Sequence, residues 1–202
     1  TIKGEQMKSV ADKKRLAYVG APVRAHDAKE NDDWYTPKEW VQFARDVLHK
    51  IDLDPFSSDM ANDGSDGVEG VRAAKYFTAE DNALTQIWDA NTVWMNPPYS
   101  RGLCAKACDK FIEEFELKHF KTGIVLVNNM TDTQWYRRMA EKARFIVNLT
   151  GRIGFVNAKG QRISGNTRGQ TVFFFTHGNN NAAKRFKDVM ATKGQLVMEV
   201  VK

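Results

Sequence analysis

Along this chain, stretches in which apolar residues recur at helical spacing alternate with short runs that are apolar almost throughout. In residues 34–50, Trp40, Phe43, Ala44, Val47 and Leu48 share one face. That spacing predicts a helix opened by Thr36, with Pro37 in its first turn, where a missing N–H costs nothing. IDLDPF (51–56) predicts a short strand ending on Asp-Pro, followed by a polar loop with Gly64, Gly67 and Gly70. AAKYFT (73–78) and NTVWMN (91–96) predict two more strands, and residues 100–120 an amphipathic helix. TGIVLVNNM (122–130) is continuously apolar, as in a parallel strand covered on both faces. Residues 132–143 predict a helix capped by Thr131 or Asp132.

Beyond residue 143 the pattern changes. RFIVNL (144–149), RIGFVN (152–157) and TVFFFTH (171–177) predict strands separated by Gly-rich turns, with 152–175 read as a hairpin. A helix over 182–191 and a closing strand over 195–201 follow. Helices between buried strands, then a β-rich end, predict an α/β fold whose open sheet is mostly parallel and finishes in antiparallel strands. Ligands of such sheets lie beyond the carboxyl ends of the strands, where IDLDPF and VWMNPPY carry their polar residues. Residues 1–33, highly charged with few apolar runs, predict an arm that is partly helical; residues 34–202 predict a single domain.

The 202 residues are 42% apolar and 27% charged, enough for a real core and against wholesale disorder. No apolar run reaches the roughly 18 residues of a membrane span, and the first twenty residues lack the apolar centre of a secretory signal, so the cytoplasm is the expected compartment. Cys104 and Cys108 are expected as reduced thiols on one helical face, and the four histidines form no cluster, so no metal is expected. The net charge of +5 is unevenly spread. Residues 1–136 hold 17 Lys and Arg against 22 Asp and Glu; residues 137–202 hold 13 against 3, balances of −5 and +10. A basic last third on an acidic body fits a face that meets a polyanion, and equally a merely well-solvated surface.

The chemistry concentrates in Asn96-Pro97-Pro98-Tyr99. Asn96 offers a side-chain carbonyl oxygen, the prolines stiffen the loop, and Tyr99 presents a flat ring. Acceptors on one edge and a stacking plane above suit a planar ring with an exocyclic amine. Acceptors drawing on its N–H groups favour a tetrahedral nitrogen whose lone pair attacks an electrophile, without a nucleophilic side chain. The same four residues also describe a plain Pro-Pro turn with a packing tyrosine.

NPPY after a strand resembles the motif of amino-methyltransferases that use S-adenosylmethionine. WYTP, DLDPF, YFTAEDNAL followed by Trp88, NPPYS and GRIGF, in this order over residues 34–176, resemble the phage-type DNA adenine methyltransferase (Dam-like) family. The resemblance implies a Rossmann-like methyltransferase sheet, S-adenosylmethionine as cofactor and S-adenosylhomocysteine as product. On these residues it implies that Asn96 and the Pro97 carbonyl hold the target amine, with Pro98 in the same rim, and that Tyr99 stacks on an extruded adenine. It implies cofactor contacts from Asp54, Pro55, Phe56 and Ser57, from Tyr35, Thr36 and Pro37, and from Glu80 and Asp81, with Asp81 the stronger candidate of the last two. Where many methyltransferases carry a glycine-rich turn after Asp-Pro-Phe, this chain has Ser57-Ser58-Asp59-Met60-Ala61-Asn62, which leaves the contacts after Phe56 open.

A base inside a duplex cannot reach such a pocket, so base flipping in double-stranded DNA is expected. Arg101, Arg137, Arg138, Arg152, Lys159, Arg162 and Arg168 are the candidate DNA contacts, with Asn166 and Gln170 as candidate adenine readers. The recognition sequence is not legible; GATC is the family-level expectation, and a monomer is expected. Two alternatives remain at this point: the same fold acting on RNA or another amine, and an inactive DNA-binding protein on this scaffold.

Overall fold

The computed structural model describes residues 34–200 except Asp66, Arg101, Ser164 and Gly165. The arm expected over residues 1–33 and the DNA contact expected of Arg101 lie outside the described residues. In chain order the elements are α1 (Lys38–Leu48), β1 (Leu53–Asp54), α2 (Asp59–Asp63), β2 (Lys75–Tyr76), a 3-10 turn (Ala83–Thr85), β3 (Thr92–Met95) and α3 (Leu103–Glu116). They continue with β4 (Thr122–Asn128), α4 (Gln134–Lys142), β5 (Phe145–Asn148), β6 (Gln170–Thr176), α5 (Asn180–Thr192) and β7 (Met198–Glu199).

The strands form one sheet in the order β2-β1-β3-β4-β6-β5-β7. β2, β1, β3 and β4 are parallel neighbours. β6 runs antiparallel between β4 and β5, and β7 antiparallel beside β5. This is the mixed sheet the sequence predicts. Alternation along the strands divides the core in two. Trp94, Ile124, Leu126, Val172 and Phe174 face one way, toward α1 and α5; Val93, Met95, Val125, Val127, Phe173 and Phe175 face the other, toward α3 and α4. Helices on both faces explain why β4 and β6 read as unbroken apolar runs.

The order reverses between β1 and β3: β1 leads to β2 on one side and β3 to β4 on the other. The crevice beyond the carboxyl ends of β1 and β3 is therefore the topological switch point, where open α/β sheets bind ligands. Asn128 pairs with Gln170 and Asn148 with Thr171, so the long loop between β5 and β6 hangs over that same edge.

That loop corrects one expectation. RIGFVN is not a strand of the sheet, and TVFFFTH, as β6, pairs with β4 and β5 instead of with it. Among the described residues of the loop the chain makes a small turn, with one bridge between Val156 and Arg162. Ile153 and Phe155 are buried as packing anchors of the loop, which explains their strand-like look. The stretch after Phe56 also departs from the polar loop expected there. It forms the short helix α2, whose start is capped by Ser58 Oγ accepting from the Ala61 N–H at 3.2 Å.

Candidate active site

β1 ends on Asp54, a residue only 3% exposed. The Phe56 N–H donates to Asp54 Oδ1 at 3.3 Å, while the main chain after the strand is tied to the end of β2 by Phe77 N to Asp54 O and Ser57 N to Phe77 O. Burial pushes the Asp54 pKa up to about 7, against the pull of the Phe56 N–H and the nearby Ser57 hydroxyl. Ser57 Oγ is itself buried and makes no hydrogen bond of good geometry. A buried carboxyl near its titration point, beside an unpartnered hydroxyl at a switch point, is a donor set suited to a polar, cationic ligand.

Across the crevice, β3 runs out into Asn96, half-buried, and Pro97, buried. Asn96 Nδ2 donates to Thr36 Oγ1 at 3.0 Å, and the Tyr99 hydroxyl donates to Asn96 Oδ1 at 2.9 Å. One lone pair of Oδ1 stays available, and the Pro97 carbonyl has no hydrogen-bond partner among the described residues. Tyr99 is packed against both halves of the core, edge-on to Phe155 with centroids 6.2 Å apart. Burial holds its phenol well above the usual range. Cys104 and Cys108 are free thiols on α3, the first half-buried and the second buried.

Residues 34–36 form a strap over this edge. Trp34 lies against Phe155, with centroids 5.9 Å apart. Tyr35 and Val156 exchange both main-chain hydrogen bonds, at 2.8 and 3.1 Å. Thr36, 7% exposed, meets Asn96. Thr36 therefore does not cap α1: Pro37 occupies the cap position, with no side-chain capping bond. Phe155, which backs Tyr99, was not singled out as a site residue; GRIGF marks the segment, but nothing local indicates where its ring points. On the far side, Phe56 meets the buried Trp88 edge-on. Asp81 Oδ2 accepts from the Thr78 N–H and hydroxyl, which lower the Asp81 pKa, and Glu80 is exposed.

The family described as "DNA N-6-adenine-methyltransferase (Dam)" matches residues 24–197. The chain belongs to the Dam family. It is 28% identical over 151 residues to a DNA N-6-adenine-methyltransferase of Haemophilus phage HP1, covering 72% of this chain and 79% of that protein. To the DNA N-6-adenine-methyltransferase of Escherichia phage T1 it is 27% identical over 161 residues, covering 70% of this chain and 61% of that one. A putative methyltransferase of Escherichia coli K12, YfdM, is 34% identical over 82 residues, 37% of this chain and 80% of its own.

In this Dam-family chain the candidate DNA contacts separate into two groups. Arg137 bonds Glu141 at 2.9 Å and Arg138 bonds Asp109 at 2.9 Å, both on the α3–α4 side. Arg162 reaches Glu39 at 3.1 Å, and Arg152 donates to the Asn166 carbonyl at 3.3 Å. Lys159 and Arg168 are exposed, and their side chains have no partner among the described residues. Asn166 and Gln170 are committed to the fold. The Asn166 amide donates to Ile153 O and accepts from the Arg168 N–H. Gln170, fully buried, joins Ile153, Asn128 and Arg168. Gln170, with no exposed surface, cannot reach a base edge, which corrects that expectation of it. Among the described residues, no group of three or more His, Cys, Asp or Glu is arranged to hold a metal, and no helix is long and apolar enough to cross a membrane.

Proposed function

We propose that this Dam-family enzyme methylates the exocyclic N6 of an adenine flipped out of duplex DNA, with S-adenosylmethionine as the methyl donor. The observation that carries the reading is a pair of acceptors at the end of β3, Asn96 Oδ1 with a lone pair available and the Pro97 carbonyl with no partner among the described residues, next to the buried Asp54 at the end of the neighbouring β1. When bound, S-adenosylmethionine supplies a methyl group on a positively charged sulfur. Asp54 and Ser57 would hold its polar end, with Phe56, Tyr35 and Pro37 around it, and Glu80 or Asp81 beyond the end of β2 would take its hydroxyls. Asn96 Oδ1 and the Pro97 carbonyl accept the two N–H groups of the adenine amine, which raises the lone pair out of the ring plane for in-line attack. Pro98 stiffens the rim and Tyr99 flanks the base. Lys159 and Arg168, with Arg152 and Arg162 behind them, hold phosphates beside the flipped nucleotide, in the cytoplasm of the host and with one chain sufficient for catalysis.

The test is nucleoside mass spectrometry of duplex DNA incubated with enzyme and isotopically labelled cofactor. Label on N6-methyladenine is the expected result; label on cytosine, or only on RNA in parallel reactions, overturns the reading. Asn96→Ala removes turnover by about 100-fold or more while leaving cofactor affinity within a few-fold, in line with loss of an oxyanion-hole-type contact.

A further inference from the structure

We propose that Thr36 is a positioning residue for methyl transfer: its hydroxyl accepts from Asn96 Nδ2 and so turns the asparagine oxygen toward the target amine. The inference rests on the assignment of Asn96 as the group that holds the amine.

The need for such a residue follows from the chemistry of an amide. The two ends of an asparagine side chain have nearly the same shape and opposite hydrogen-bonding character. With its oxygen toward the pocket, Asn96 accepts from an exocyclic amine; turned over, it presents N–H to N–H. Thr36 Oγ1 lies 3.0 Å from Nδ2 and accepts there, while the Tyr99 hydroxyl donates to Oδ1 at 2.9 Å. Both hydroxyls can donate or accept, so the two contacts fix the plane of the amide, and with Thr36 accepting and Tyr99 donating its oxygen is the end beside Tyr99.

Thr36 is itself held in place. Tyr35 is fixed to Val156 by two main-chain hydrogen bonds, and Pro37, with φ −61° and ψ 149°, begins α1 immediately after it. At 7% exposure Thr36 has little freedom to turn its hydroxyl elsewhere. A threonine that opened α1 in the ordinary way would spend that oxygen on helix N–H groups; this one reaches across sixty positions to β3's end instead.

The experiment compares Thr36→Val, Thr36→Ser and Thr36→Ala with parent enzyme. It measures kcat and KM on adenine-containing duplex DNA, the Kd of S-adenosylmethionine by calorimetry, and thermal unfolding. Thr36→Val keeps the shape and removes the acceptor; kcat falls about ten-fold, the cost of one net hydrogen bond, with cofactor Kd unchanged within two-fold. Thr36→Ser keeps the hydroxyl and holds kcat within about two-fold of parent, whereas Thr36→Ala matches Thr36→Val. If Thr36→Ser loses as much kcat as Thr36→Ala, the methyl group carries the effect and the proposal fails, even should the valine variant not fold. A rise in cofactor Kd at unchanged kcat also overturns it, assigning Thr36 to the cofactor instead. Asn96→Ala, run alongside, separates the two layers: if it stays active the underlying assignment falls, and if it is inactive while Thr36→Val equals parent, only the role of Thr36 falls.

Discussion

Replacing Asp54 with asparagine tests the electrostatics of the crevice most directly. Asp54 is buried at the end of β1 and titrates near 7 in the folded chain, against 3.8 for an ordinary aspartate. Between those two values the folded protein keeps a proton that the unfolded chain has released. Stability therefore falls as pH rises from about 4 to about 7, and levels off above. At about 1.4 kcal/mol per pH unit the full effect approaches about 4 kcal/mol by pH 8, an upper figure for a carboxyl that water can approach when the chain breathes. Asp54→Asn removes the titration. The ligand-free variant gains on parent as pH rises, by up to about 4 kcal/mol at pH 8 and by almost nothing near pH 4. Ser57 Oγ, buried without a partner, is available to accept from the new amide. Urea unfolding from pH 4.5 to 8, followed by tryptophan fluorescence, gives the difference between variant and parent, in which all other titrating groups cancel. A difference that does not change with pH refutes the reasoning. Calorimetry adds the functional half: parent affinity for S-adenosylmethionine rises from pH 6 to 8 as the carboxylate forms, and Asp54→Asn binds weakly throughout.

Among the basic residues, Arg168→Ala raises KM for DNA and reduces the slope of log affinity against log salt by about one, the loss of one phosphate contact. Arg138→Ala, removing a guanidinium already bonded to Asp109, leaves that slope unchanged; equal effects from both would refute the division into free and committed cations. Glu114, 1% exposed, accepts from Trp88 N at 2.8 Å, bonds His119 Nδ1 at 2.7 Å and pairs with Lys110. Burial works to raise its pKa, and Lys110, the Trp88 N–H and His119 more than offset that. Glu114→Ala lowers stability by about 2–3 kcal/mol, since the buried Trp88 N–H loses its acceptor and Lys110 keeps only the longer contact to Glu113 at 3.6 Å; a chemical-denaturation shift below about 1 kcal/mol would count against it.

Elements that bury one consistent face were readable in the chain; those defined by a distant partner were not. The unbroken apolar run of β4 announced a covered parallel strand, and the helices α1, α3, α4 and α5 followed from their spacing to within a few residues. RIGFVN misled because Ile153, Phe155 and Val156 are buried without a ladder, and apolar patterning reports burial before it reports hydrogen bonding. α2 has five residues, too few for a periodic signal. Caps failed for a similar reason. Thr36 suits an N-cap by type, yet its oxygen goes to Asn96; α4 begins after Thr133, whose hydroxyl turns back to Met130 O. In the site, NPPY and DLDPF marked the two strand ends correctly, because polar residues directly after apolar runs can only lie at a sheet edge. The bond between Thr36 and Asn96, and the commitment of Asn166 and Gln170 to the loop, depend on contacts that no local rule reports.

Among the contacts that join the loop between β5 and β6 to the rest of the edge, two are made by main chain against main chain. Tyr35 bonds Val156, and Gly160 touches Gly67 so closely that a Cβ on Gly160, at φ +71°, would sit 2.4 Å from Gly67 Cα. Anyone exchanging this loop between relatives would therefore be moving one part of a joint built from three segments. A graft of residues 149–169 alone would meet a foreign strap and a foreign glycine seat. A chimera that carries residues 34–36 and 64–70 with the loop transfers both of these contacts, and with them the strap that reaches Asn96.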